Sequence, residues 1–173
     1  MTRTGRVAAI ALLCAVSFGL ASCNDSASAP TAPEHSIARD LLGPLTGLVA
    51  CTPLPADSVT QVIGPDGGTI VVGPHSFTVP AGALDSAVAI TAVAPSDVVN
   101  RVVFQPAGLR FHHAATLTMS YANCGPLAHM APARIAYVDD LLNILYYIPS
   151  VGNAQSQTVT GWVRHFSDYA VAW

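Results

Sequence analysis

Lysine is absent from this 173-residue chain, charged side chains of every kind make up only 10% of it, and the formal net charge is -3. A nucleic-acid binder normally carries a basic face, so that class is excluded at the outset. Aromatic residues are sparse at 7%, yet a hydrophobic fraction of 51% is too high for a wholly disordered chain. The leading apolar run, Val7 to Ala21, is fifteen residues long. A helix that crosses a bilayer core of about 30 Å needs roughly 20, so a permanent transmembrane span is disfavoured. No signature of a known catalytic class appears, and no cofactor or small-molecule substrate is expected.

What is present begins with Arg3 and Arg6 ahead of that apolar run, the pattern of a secretory leader. The run ends in Leu20-Ala21-Ser22-Cys23. This tetrapeptide resembles the lipobox of bacterial lipoproteins, in which small residues precede a Cys that is acylated and becomes the first residue. The alternative is an ordinary leader with a chance Cys after its cleavage site. Each buried CH2 of an acyl chain contributes about 0.8 kcal/mol, so several chains on Cys23 would hold a protein firmly at a membrane. Removing residues 1–22 takes two of the seven Arg and none of the ten acids, which leaves a net charge of -5. Charge alone would not attach such a chain to anionic lipid.

Residues 23–35 contain NDSASAPTAP, a small-residue tract with nothing large to bury, and read as a flexible tether. In the connector 36–58, Leu41, Leu42, Leu45 and Leu48 recur at roughly helical spacing, but Gly43-Pro44 and Gly47 interrupt it. A short helical turn or an extended segment is expected there. Of the four Cys, Cys14 leaves with the leader and Cys23 is the acylation site, leaving Cys51 and Cys124. In an exported protein these two predict one disulfide, the alternative being two separate buried thiols.

From Val59 onward apolar and polar residues alternate in short runs. Ala115, Leu117, Met119 and Tyr121 alternate with Thr116, Thr118 and Ser120, and His75–Val79, Val88–Ala92 and Thr158–Val163 follow the same period of two. Turn signals separate them: Gly64-Pro65-Asp66-Gly67-Gly68, Gly73-Pro74, Pro80-Ala81-Gly82, Pro95-Ser96-Asp97, Pro106-Ala107-Gly108 and Gly152-Asn153. Many short strands at this spacing predict an all-β, antiparallel β-sandwich body over residues 59–173. Asp139 to Leu145 is the one stretch of this body for which a helical turn is an alternative to strand.

Three motifs in order, Ile63-Gly64-Pro65-Asp66-Gly67-Gly68-Thr69-Ile70, Phe77-Thr78-Val79-Pro80-Ala81-Gly82-Ala83-Leu84 and Phe104-Gln105-Pro106-Ala107-Gly108-Leu109-Arg110-Phe111, resemble the ZU5 domain. The resemblance implies a β-rich module used for protein contacts or scaffolding and, in some members, for self-cleavage. His165-Phe166-Ser167 is similar to the cleavage motif of those members. Ser167 would be the nucleophile, Phe166 would supply the carbonyl, and His165 would act as base or polarise the bond. Were the last strand regular, His165, Ser167, Tyr169, Val171 and Trp173 would share one face. Alternate strand residues sit about 7 Å apart, however, so direct base action would need a kink or a water. The bland reading is an ordinary strand edge in which Phe166 packs and Ser167 bonds backbone.

Other candidates carry less. His112 and His113 are adjacent, so on a regular strand they face opposite ways, and adding His75 and His129 gives no spacing typical of zinc. Asp139-Asp140 falls short of the oxygen set that Ca2+ needs. Trp162, Tyr146 and Tyr147 are either core or an aromatic platform for glycan. The Gly64–Gly68 run lacks the Lys-Ser/Thr of a phosphate loop. The expectation is therefore a lipid-anchored protein of the bacterial envelope, on the periplasmic or extracellular side, working without enzymatic turnover. Its partners would be the membrane, through its anchor, and an envelope protein or glycan. Self-cleavage between Phe166 and Ser167 and cell-wall binding are the alternatives.

Overall fold

Strands that alternate apolar and polar residues can bury one side only by stacking two sheets, and the computed structural model, which describes residues 47–173, has this form. The leader, Cys23, the tether and the connector as far as residue 46 lie outside the described residues. The strands are β1 (Asp57–Ile63), β2 (Gly68–Val72), β3 (His75–Val79), β4 (Val88–Ala94), β5 (Arg101–Gln105), β6 (Arg110–Ser120), β7 (Arg134–Val138), β8 (Ile144–Ile148), β9 (Ser150–Asn153), β10 (Thr158–His165) and β11 (Asp168–Ala172). A six-stranded sheet runs β1-β4-β5-β11-β7-β8 and a five-stranded sheet runs β2-β3-β6-β10-β9, all pairs antiparallel. This is the all-β sandwich that the alternation predicts. Its inward residues are those of the period-two reading: Ala115, Leu117 and Met119 are fully buried, and so are Phe77, Ile90, Val159 and Val163.

Register is held on the outward sides by cross-strand threonines. Thr60 faces Thr91 across β1 and β4 with hydroxyls 2.8 Å apart, Thr69 faces Thr78 across β2 and β3 at 3.0 Å, and Thr118 faces Thr160 across β6 and β10 at 2.9 Å. Each such pair contributes about 0.2–1 kcal/mol, and a one-residue slip would turn every inward apolar group outward.

The three motifs Ile63–Ile70, Phe77–Leu84 and Phe104–Phe111 and the tripeptide His165-Phe166-Ser167 have a common structural place. Each is a crossing from one sheet to the other, and the strand registers put all four at one end of the sandwich: β1 to β2, β3 to β4, β5 to β6, and β10 to β11. The crossings hold one another. Gly82 N–H donates to the Pro65 carbonyl at 2.7 Å, and Gly67, at φ 77°, lies so close beneath the Val79 carbonyl that a Cβ would collide with it. Only glycine accepts both constraints.

The described part of the connector is extended. Leu48, Ala50 and Cys51 form isolated bridges to Ala172, Val99 and Cys124, and Val49 N–H donates to the Val171 carbonyl at 3.1 Å. Leu48 and Val99 cover the outward residues Ala136, Val138, Ala170 and Ala172 as a second small core. Cys51 and Cys124 are disulfide-bonded across a sequence separation of 73, as predicted. On a chain-entropy basis, closing that loop stabilises the body by about 4 kcal/mol.

Asp139 to Leu145 is a hairpin connection into β8, and the alternative of a helical turn is not taken. The Asp139 carboxylate accepts from the Leu141 N–H at 2.9 Å, the Asn143 N–H at 2.8 Å and the Asn143 side-chain amide at 2.8 Å. Leu142 takes a left-handed φ of 63°. A side chain that captures the backbone in this way competes with helix hydrogen bonding, and the left-handed residue turns the chain back.

Candidate functional site

β10 ends at His165 in the five-stranded sheet and β11 starts at Asp168 in the other, so Phe166 and Ser167 belong to neither. The condition for a shared face of His165, Ser167, Tyr169, Val171 and Trp173, one regular strand, is therefore not met. The cause is Phe166. Its ring, 2% exposed, sits between the sheets, stacked on Phe104 at 4.8 Å and tilted against Phe77 at 5.4 Å, with Phe111 edge-on at 5.1 Å. Burying a ring this size stabilises by about 1.5–3 kcal/mol, enough to drag the chain across the gap between sheets.

The crossing is fixed by hydrogen bonds as well. Phe166 N–H donates to the Leu109 carbonyl at 2.7 Å, and Gly108 N–H donates to the Phe166 carbonyl at 3.2 Å. The Tyr169 hydroxyl donates to the His165 carbonyl at 2.7 Å, and burial pushes that phenol above the usual tyrosine range. The His165 ring packs edge-on to Tyr137 at 5.6 Å and points Nδ1 at the Phe166 carbonyl, 3.4 Å away.

Two concavities flank this crossing. The larger, about 450 Å³, is lined by Arg110, Tyr146, Pro149, Trp162, Arg164 and His165 among others, with no acidic side chain. It opens where β9 leaves β10: β9 pairs with Thr158 to Gly161 only, and Pro149 carries the chain from β8 of the other sheet into β9. Trp162 and Tyr146 stand 47% and 53% exposed on it. The smaller, about 300 Å³, is lined by Gln105, Tyr137, Asp139, Asp140, Ser167 and Asp168 among others. Burial raises the Asp168 carboxyl above its usual range against the opposing pull of Arg101, whose Nη1 lies 3.8 Å from it. His165 thus lines the basic concavity and Ser167 the acidic one. The imidazole's polar contact is the carbonyl of the Phe166–Ser167 bond.

The remaining predicted residues are dispersed. His75 is 3% exposed and accepts from the Ser120 N–H at 3.2 Å, and burial lowers its pKa to about 4. His112 and His113 are both exposed, because β6 and β10 lose regular register between Val163 and His165, and His112 meets the Asp85 carboxylate at 2.8 Å on the surface. His129 lies at the end of a 3-10 helix, Pro126–His129. Among the described residues no group of three or more His, Cys, Asp or Glu is placed to hold a metal ion. Asp139 and Asp140 share the smaller concavity, where hydrogen bonds from the Asn143 side chain and backbone hold Asp139 below the usual carboxylate range. Tyr147 lies under Arg134, whose guanidinium carbon is 4.7 Å from the ring centre, and so leaves the aromatic trio divided. Cys23 lies outside the described residues.

Sequence reasoning missed Arg110 and Arg164. Arg164 had a signal, since it continues the outward series Thr160, Trp162 of β10. Arg110 had none, because only the irregular register sets it opposite His165. No protein-family model and no curated protein matches the chain.

Proposed function

We propose that the chain is an exported lipoprotein of the bacterial cell envelope, held to a membrane by acyl chains on Cys23, with a ZU5-like sandwich that works as a non-catalytic binding module for an envelope protein or glycan. The observation that carries the binding role is the concavity on which Trp162 and Tyr146 stay exposed beside Arg110 and Arg164. Two exposed aromatic rings with two cations on one hollow support a ligand-binding role for this surface. The Cys51–Cys124 bond supports an oxidising compartment and the lipobox-like tetrapeptide supports the anchor. The test is growth with a radiolabelled fatty acid and crosslinking in intact cells. The protein takes up label and Cys23→Ala abolishes it, while Trp162→Ala lowers the yield of crosslinked envelope material. Label that survives Cys23→Ala, or protein recovered from the cytosol with its leader attached, overturns the assignment.

A second reading, self-cleavage, is favoured by the Phe166 carbonyl, which accepts the Gly108 N–H and has His165 Nδ1 at 3.4 Å. Two such groups stabilise an oxyanion as Ser167 Oγ adds to the carbonyl carbon. The C–N bond then breaks, the amine of Ser167 takes the proton, and water hydrolyses the resulting ester. Denaturing mass spectrometry decides: cleavage detaches a Ser167–Trp173 peptide, and an intact chain removes the reading. Folded, that peptide would stay paired between β5 and β7.

A further inference from the structure

We propose that the concavity beside β10 is a binding site for an anionic polysaccharide, a carboxylate-bearing sugar chain that lies across Trp162 and Tyr146 with its acid groups on Arg110 and Arg164; this rests on reading the domain as a binding module. Charge is the first argument. Of the described arginines, Arg101 is engaged by Asp97 at 3.5 Å and Asp168 at 3.8 Å, and Arg134 covers Tyr147. Arg110 and Arg164 are exposed, form no ion pair among the described residues, and line the same hollow, in a chain whose net charge is -3. A guanidinium presents paired N–H groups that match a carboxylate in bidentate fashion. Concentrating unpaired cations on one acid-free hollow of an acidic protein selects an anion.

Ring chemistry is the second argument. Trp162 and Tyr146, 47% and 53% exposed, offer flat apolar faces edged with polar groups. Sugar rings have the matching character, an apolar face of C–H bonds surrounded by hydroxyls. Next to Trp162 the outward side of the sheet continues as Thr116, Thr118 and Thr160; the Thr118 and Thr160 hydroxyls bond each other at 2.9 Å, which leaves one of their two protons and the remaining lone pairs for a ligand. An extended glycan therefore finds stacking, charge and hydrogen bonding along one path.

Backbone availability on β10 argues against an acidic peptide. A peptide commonly binds by extending a sheet through main-chain hydrogen bonds. Here the stretch of β10 beyond its pairing with β9 and the Trp162–Pro149 bond is only Val163 to His165, and the His165 carbonyl is already taken by the Tyr169 hydroxyl. Too little free edge is left on β10 to form a ladder, and a peptide that paired instead along β8, the outer strand of the six-stranded sheet on which Tyr146 stands, is what the tetraglutamate arm of the test reports.

Isothermal titration of the purified full chain in detergent micelles with tetragalacturonate, maltotetraose and tetraglutamate tests the assignment. Tetragalacturonate binds; the neutral sugar and the acidic peptide bind at least about tenfold more weakly; and binding weakens as salt rises from about 0.05 to about 0.5 M. Trp162→Ala and the double change Arg110→Ala/Arg164→Ala each weaken tetragalacturonate binding about tenfold or more, with the far-ultraviolet circular dichroism spectrum of the parent. Absence of tetragalacturonate binding, or binding indifferent to these substitutions, overturns the site. Tetraglutamate bound as tightly through the same residues also overturns the glycan assignment, but leaves the binding-module reading standing, which only the crosslinking and labelling results can sink.

Discussion

On the six-stranded sheet, Leu48 and Val99 lie over the outward side of β7 and β11, so Ala136, Val138, Ala170 and Ala172 are as buried as the residues facing the sandwich interior. On the five-stranded sheet, the outward side of β10 carries Thr160, Trp162 and Arg164, with Trp162 almost half exposed. The two strands are consecutive and joined by a two-residue crossing, yet one is wrapped and the other presented. The contrast separates the work of the two sides: the wrapped side adds stability, and the presented side holds the rings and cations of the proposed site.

If that division holds, substitutions on the wrapped side cost stability and those on the presented side do not. The largest effect is expected where the wrapping segment is stapled. Reducing Cys51–Cys124, or replacing both Cys by Ser, should lower the unfolding free energy by about 4 kcal/mol in a denaturant titration; no loss would mean that the segment is not part of the cooperative body. Leu48→Ala should cost about 3 kcal/mol by transfer and cavity terms, measured in the same way, since Leu48 is 2% exposed.

A third effect comes from the edge of the core itself. His75 is neutral when folded down to a pKa of about 4, against 6.5 for the unfolded chain. The unfolded chain binds the extra proton first, so the stability due to this burial is complete above pH 6.5 and is lost as pH falls through the folded pKa, by up to about 3 kcal/mol. His75→Gln, whose amide oxygen can still accept from the Ser120 N–H, should flatten the pH dependence of unfolding in that window. The smallest effect sharpens the comparison from the other side: Trp162→Ala should leave stability within about 0.5 kcal/mol of the parent. A loss of about 2 kcal/mol or more would mean that this face, too, is structural.

The same contrast explains what was legible in the sequence. β10 and β6 border solvent on one side, so their polar residues mark the outward face and the period of two survives in the text. β11 reads Asp-Tyr-Ala-Val-Ala, nearly all apolar, because both of its sides are covered. Parity could not place His165 and Ser167 for a different reason: it holds only along one continuous strand, and burial of Phe166 among three other phenylalanines takes the chain out of one sheet and into the next. Of the proposed site, Trp162 and Tyr146 stood out by residue type alone. Arg110 could not, since its position depends on a register irregularity that no spacing rule encodes.

The sulfur bridge also determines how the molecule bears load. Tension applied between the two ends of the described chain runs from Cys51 straight into Cys124, and the segment between them, a separation of 73 residues, lies off the force-bearing path. At roughly 3.5 Å per residue, the oxidised molecule pulled taut is about 250 Å shorter than its reduced form. The first six strands cannot be drawn out while that bond lasts, whatever becomes of the remainder.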